Sequence, residues 1–478
     1  MASISSLGIG SGLDLNTLLS GLKTAEQAPL AAIQKQQASY TTKLTAYGQL
    51  SSTLGTLRSA AAALSTATLF EGVKATSSAT DVLTAKALAT AVNGSYAVNV
   101  TQLAQAQSLA ANGVLSSTSP IGGGTVTIDF GTIGGGTFDA ATGKHTGASF
   151  TPGTAVATPI TIAANSTLEN IRDAINASAD SGVTASIVND GSATPNRLVL
   201  TSTKTGEAAS MKITVTGDAA LSNLLANDPT ATQNLRQTAA AQNTELTVNG
   251  IGITSATNTV EGAVQDVTMS VSKMGATTLS VQKDTGSVQS AVNDFVSAYN
   301  NLQTVSARLT AYDAASQSGA ALMGDSTLRG IQVGIRSALT APQADDGSGL
   351  TMLSQIGISF DEYGKLALDA TKLTAALGSK MGGVANLFSG GTGGYGTAMA
   401  ELVSSYTDTT GGVLTAASKG ISKTLDSLAK QYTSTSERAE ATVARYKTQF
   451  SQLDLMMSRM NQTSSYLTAQ FDAMNAKK

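Results

Sequence analysis

The chain contains no cysteine, no tryptophan and a single histidine, and aromatic residues make up only 4% of it. Without cysteine there is no disulfide, no thiolate metal site and no cysteine nucleophile. A histidine-based triad would rest on His145 alone, and a zinc site would need carboxylates for nearly all its ligands. His145 lies in the polar, turn-like stretch Thr142-Gly143-Lys144-His145-Thr146-Gly147, so a solvated loop position is expected. Charge is scarce too. Charged residues are 13% of the 478 and the formal net charge is -3. That leaves neither a basic field for nucleic acid nor an acidic tail. No stretch approaches the roughly 18 apolar residues of a membrane span. The start, MASISSLGIGSGLDL, has no basic n-region, its first cation being Lys23, and no continuous apolar h-region. A cytoplasmic protein would look like this, and so would one exported on an uncleaved signal.

The few motifs with a chemical look lose it in context. Gly8, Gly10 and Gly12 form GxGxG, but seven residues leave no room for the preceding strand that a dinucleotide fold requires. Asp361 and Glu362 sit side by side at a turn, where neighbouring side chains need not converge, so turn chemistry explains them better than general acid/base work. No EF-hand loop and no phosphate-binding GxxxxGK[ST] run is present. We therefore expect no catalytic residue, no metal and no cofactor.

What the chain does have is a matched pair of helical seams at its two ends. At the C-terminus Val443, Tyr446, Phe450, Leu453, Met457, Met460, Leu467, Phe471 and Met474 step by three and four, with Ser464 in the one skipped place and Met456 beside the stripe. At the N-terminus Leu15, Leu18 and Leu22 lead into Ile33, Tyr40, Leu44 and Tyr47, followed by Leu50, Leu54, Leu57, Ala61 and Leu64. This is coiled-coil spacing, and each stripe runs far past the average helix of about 11 residues. Ser11 or Asp14 can cap the first helix. Pro29 is expected to break or kink it. An extra three-step between Tyr47 and Leu50 marks a joint near Gly48, and the helix should end near Phe70. Methionine suits a surface that packs against more than one partner.

Between the seams the period changes. Tyr96, Val98 and Val100 alternate after Asn93-Gly94. Leu246 and Val248 lead into Asn249-Gly250 with Ile251 and Ile253 beyond, a hairpin signature. Val267, Met269 and Val271 alternate, as do Thr277, Leu279 and Val281. Inside these flanks lie glycine-rich stretches and then a helix with Ser166 and Glu169 at capping-box spacing. Its apolar face is Leu168, Ile171 and Ile175, and Gly182 can end it. Helical spacing returns at Val288, Val292, Phe295, Tyr299, Leu302, Val305 and Leu309. Asp325 then caps a helix bearing Leu328, Ile331, Ile335 and Leu339. Ile356, Ile358 and Phe360 read as a strand, turned at Asp361–Gly364 into Lys365–Leu368, and Asp369 caps the next helix.

The expected class is α+β and multidomain: terminal coiled-coil helices and a helical body formed by both chain ends, with nested β-rich domains in the middle. The expected parts are a leg (1–47 with 436–478), a helical body with a short hairpin (48–74 with 283–435), a β domain (75–112 with 243–282) and an inserted β-rich domain (113–242). Chains bringing their two ends together around a nested insertion suit an assembly subunit better than an enzyme.

Several segments resemble the flagellar filament cap, or hook-associated protein 2, family. They are SSLGIGSGLDLNTLLSGL and KLTAYGQLSSTLGTLRSA near the start, GSYAVNVTQLAQAQSL (94–109), FVSAYNNLQ (295–303), LMGDSTLRGIQ (322–332), IGISFDEYGKLALD (356–369) and the tail ARYKTQFSQLDLMMSRMNQTSSYLTAQFDAMN (444–475). Within the insert, NIRDAINASADSGVTASIVND resembles a repeat found in flagellin and hook-associated proteins, whereas 121–159 matches no motif of the family; any host adhesion would lie there. The resemblance implies a structural assembly factor that caps the distal tip of the filament and promotes folding and insertion of exported flagellin. It also implies export through the flagellar type III route and action outside the cell. The partners would be flagellin, the hook–filament junction proteins, an export chaperone on the C-terminal region, and further copies in a ring of about four to six, a pentamer favoured. A flagellin or junction protein of the same axial family, or less readily a surface adhesin, is the alternative.

Overall fold

The computed structural model describes residues 14–475, apart from 155, 316, 391 and 392. The glycines Gly8, Gly10 and Gly12 and the alternative cap Ser11 lie outside the described residues. Two units are formed, one from the residues up to Phe70 with those from Thr285 onward, the other from Glu71–Asp284. Helix and sheet are mixed, as expected, with long helices at the ends and β-rich structure between them.

In the first unit, Asp14 caps the helix Leu15–Leu64 by accepting the Thr17 amide at 3.0 Å. Pro29 does not break it: the helix is continuous through the proline. Pro29 and Ala25 are exposed, so the carbonyl that loses its intrahelical donor can turn to water. The helix ends at Leu64 rather than near Phe70. Phe70 instead sits in a separate turn, Thr68–Glu71, stacked on Phe388 at 6.4 Å. From Leu50 on, the seam residues Leu50, Leu54, Leu57, Ala61 and Leu64 are wholly buried. They pack in one core with the inner faces of Thr285–Thr310, Ser326–Thr340, Ala370–Ser389, Tyr395–Thr407 and the start of Val413–Asn475. Asp325 caps Ser326–Thr340 through the Leu328 amide, and Asp369 caps Ala370–Ser389 through Thr371 and Lys372.

The short hairpin pairs Ile358–Phe360 with Leu366–Leu368. Ile356 belongs to a 3-10 turn, Leu353–Ile356, not to the strand. The Asn300 side chain holds the hairpin in two directions, donating to the Leu366 carbonyl and accepting its amide at 2.8 and 2.7 Å. Asp361 accepts the Tyr363 and Lys365 amides, which is the work of a turn residue.

The second unit holds two apolar cores. One lies under a five-stranded sheet in the order Val73–Ser77, Gly275–Lys283, Gly94–Gln102, Thr244–Val248, Ile251–Ser255, together with a three-stranded sheet of Thr259–Val264, Val267–Val271 and Leu83–Ala87. Strands from before and after the insertion thus interleave. The Asn249-Gly250 turn takes φ of 50° and 85°, the left-handed pair that a two-residue hairpin needs. The other core lies among the inserted strands. Ser108–Ala110 was expected in the outer β domain, but it pairs with Asn196–Ser202 and Arg236–Ala239, and Leu109 and Ala111 enter the inserted core. The crossing point is the bridge between Gln105 and Gln242, whose amides and carbonyls exchange bonds at 2.9 and 3.0 Å.

Two local readings shift. The capping box at Leu168–Ala177 is formed by Thr167 and Asn170 rather than Ser166 and Glu169. Ser166 is buried and donates to the Ala163 carbonyl instead, which turns its hydroxyl back toward the strand before the helix. His145 is not a solvated loop residue. It lies on Lys144–Thr146, half-buried, with its ring 5.0 Å from Phe138 and its backbone bonded on both sides by the Gln233 amide.

Candidate functional site

The terminal helices Leu15–Leu64 and Val413–Asn475 lie against each other in antiparallel fashion. Gln34 donates to the Tyr432 hydroxyl at 3.3 Å, far from the core where Leu414 and Ile421 meet the other end of the first helix. The sequence seams are brought together only in part. Leu15 and Tyr47 are buried, Leu22, Ile33 and Leu44 are half-buried, and Leu18 and Tyr40 are exposed. On the C-terminal helix Val443, Tyr446, Phe450 and Met457 are half-buried, and the Tyr446 and Phe450 rings stack at 6.4 Å. Leu453, Met460, Leu467, Phe471 and Met474 face solvent, the last two more than 60% exposed.

The division has a geometric cause. A strict heptad drifts by about 20° per repeat around a straight helix, so the stripe rotates away from a single neighbour over several heptads. Counting outward from the Gln34–Tyr432 contact also sets Leu15 level with Ser451, close to where the exposed run begins. Leu455, Met456 and Tyr466 extend the exposed apolar surface. Leu455 and Tyr466 fall outside the three-four rhythm and could not be found by periodicity.

A second feature was half visible in the sequence. Asp325, expected only as a helix cap, also receives Lys43 at 2.8 Å and the Tyr47 hydroxyl at 2.7 Å on Oδ2, while Oδ1 takes the Leu328 amide at 3.0 Å. Its side chain is 5% exposed. Burial alone would push the Asp325 carboxyl up, but the bonds from Lys43, Leu328 and Tyr47, with the Lys43 charge, hold it below its ordinary value. Burial, reinforced by the bond to Asp325, pushes the Tyr47 phenol up to about 12. No sequence signal links positions 278 residues apart.

The described residues also form a groove. An open groove of about 780 Å³ along Thr56, Ser59, Ala60, Ser287, Ser290 and Ser297 carries one carboxylate, Asp294. Acid–base work on a bound substrate usually draws on a convergent second group. Among the described residues no cluster of three or more histidines or carboxylates is placed to hold a metal, and no helix is long and apolar enough to cross a membrane.

Family models for the flagellar hook-associated protein 2 N-terminus and C-terminus match residues 11–107 and 241–462, and the flagellin hook IN motif matches 137–204, so it extends into the stretch 121–159 where no motif is expected from the sequence. Flagellar hook-associated protein 2 of Escherichia coli K12 is 42% identical over 99% of both chains. The protein of that name from Salmonella typhimurium LT2 is 41% identical over 99% of this chain and 100% of its own. The chain belongs to the flagellar hook-associated protein 2 family. A crystal structure of the flagellar cap protein FliD from Escherichia coli, spanning its D1-D2-D3 domains, superposes with a TM-score of 0.59 at 37% identity. It covers 79% of this chain and 99% of that one. Membership makes the chain a flagellar cap protein, and it does not favour the flagellin, junction-protein or adhesin readings. The expected class, α+β with long terminal helices and separate β-rich parts, agrees with that relative.

Proposed function

We propose that this cap protein sits at the distal tip of the filament, outside the cell, and promotes folding and insertion of exported flagellin, with its terminal helices (1–47 and 436–478) acting as a leg. The observation that carries the leg assignment is the exposed stripe Leu453, Met460, Leu467, Phe471 and Met474 toward the far end of Val413–Asn475. A lone amphipathic helix in water is only marginally stable, so this stripe gains order by burial against a partner. Before assembly that partner is an export chaperone, and after assembly it is the filament. Methionine-rich contact suits exchange between the two. The half-buried Val443, Tyr446 and Phe450 then hold the leg's own helix pair together, with Leu15, Leu22, Ile33 and Leu44 on the first helix, while Leu18 and Tyr40 stay exposed and Tyr47 enters the helical core.

The remaining parts follow the same reading. The body comprises 48–74 with 283–435, the outer β domain 75–112 with 243–282, less the strand Ser108–Ala110, and the inserted domain 113–242. Copies of the chain associate in a ring of about four to six, a pentamer favoured, in contact with flagellin and, before filament growth, with the hook–filament junction proteins. Export uses the flagellar type III route. No covalent bond changes in capping, so no catalytic residue, metal or cofactor is assigned. Removing residues from Ser436 onward should leave the β-rich unit folded by circular dichroism yet stop filament growth. Normal swimming of such a strain would overturn the leg assignment.

A further inference from the structure

We propose that Asp325, Lys43 and Tyr47 form a latch that sets where the N-terminal helix stops being held by the helical core and starts to serve as the leg. The inference rests on the leg reading for its meaning, and on local geometry for its substance. The helix itself marks no boundary, because it is continuous from Leu15 to Leu64. What changes along it is burial. From Ala46 onward its inward positions are closed off from solvent, whereas before that point only Leu15 and Leu30 are buried. The latch sits at this transition. Lys43 and Tyr47 are one turn apart on the same face, and the Lys43 ammonium lies 5.9 Å from the Tyr47 ring centroid. Both reach the same Asp325 oxygen, while the other oxygen caps Ser326–Thr340. Just beyond, Arg308 donates to Gln49 at 3.0 Å and ties the helix to Thr285–Thr310.

The kind of contact matters here. Apolar packing weakens gradually with lost area and has little direction. Charge-assisted bonds of 2.7–2.8 Å depend steeply on distance and angle, so a displacement of about an ångström removes them. The first turn outside the core is therefore held by a contact that is either made or lost. Its loss frees the segment before Ala46 and leaves the seam from Leu50 to Leu64 in place. A chain that must shift its leg as subunits are added would gain from a joint that lets go without opening the core.

Hydrogen exchange read by mass spectrometry on the full chain tests this. Lys43→Met removes the cation. Asp325→Asn removes the charge but keeps a side chain that caps helices well. In each, amides of 31–46 should exchange about tenfold faster, the size expected for one charge-assisted bond, with 50–64 and 326–340 unchanged. The double variant should be no faster than the faster single one, since both remove the same interaction. Unchanged exchange at 31–46, or equal acceleration at 50–64, would overturn the latch. That result would leave the leg reading standing, whereas normal swimming of the truncated strain would remove the leg and leave the exchange pattern intact.

Discussion

Asp325 shows how one side chain can be legible in one role and hidden in another. Its position before Ser326 made it a helix cap on sequence grounds, and the Leu328 amide is bound as a cap requires. Its bonds to Lys43 and Tyr47 arise because the first helix crosses that cap in the fold. The consequences for pH have opposite signs. The Asp325 carboxyl is held below its ordinary value, so its contribution is present above the normal carboxylate range and is lost as pH falls through the lowered value. The Tyr47 phenol is raised to about 12, so its contribution is intact below the ordinary tyrosine value of about 10 and is lost as pH rises through the raised one. Tyr47→Phe should lower the stability of the helical unit by about 1 to 2 kcal/mol at neutral pH, measured by urea unfolding. The same variant should remove one phenol from the most alkaline phase of an absorbance titration.

At the level of elements, the patterns that reported reliably were those with a strict period and a local terminator. The Asn249-Gly250 hairpin, the Asp14, Asp325 and Asp369 caps and the inward face of Thr285–Thr310 are where the residues place them. The misplaced details came from competition between neighbours. Ser166 and Thr167 can both cap, and the strand before the helix takes the serine. Pro29 reads as a breaker, yet on an exposed turn its cost is reduced by water. Gly182 was expected to end Leu168–Ala177. It instead closes the following 3-10 turn, Ala179–Ser181, with φ of 66°, where an added Cβ would come within 2.7 Å of the Phe130 ring. Gly182→Ala should therefore cost about 2 kcal/mol, read as lost exchange protection in the adjoining strand Val183–Asn189.

On the scale of the whole molecule, the chain leaves the helical unit at Phe70 and returns to it at Thr285. Within the second unit it leaves the outer sheet near Gln105 and returns near Gln242. Nested connections of this kind make chain ends depend on each other: residues 15–64 have their helical neighbours beyond residue 284. Long sequence separation slows folding, because loop closure must precede the contacts that reward it. If the ring reading holds, light scattering across a concentration series should show masses of several copies. A strictly monomeric mass at all concentrations would count against self-association in solution.

The sequence by itself determined most element types, the two-ended layout, the family and the absence of thiol chemistry. These follow from local spacing, residue chemistry and long ordered motifs, none of which needs distant contacts. Only the tertiary structure decided which part of each seam is used internally. It assigned Leu50–Leu64 to the core, left Phe471 and Met474 in solvent, moved Ser108–Ala110 into the inserted sheet and joined Lys43 and Tyr47 to Asp325. The reason is physical: periodicity says which face of an element is apolar, but the partner that covers that face, and how far along it reaches, depends on residues hundreds of positions away.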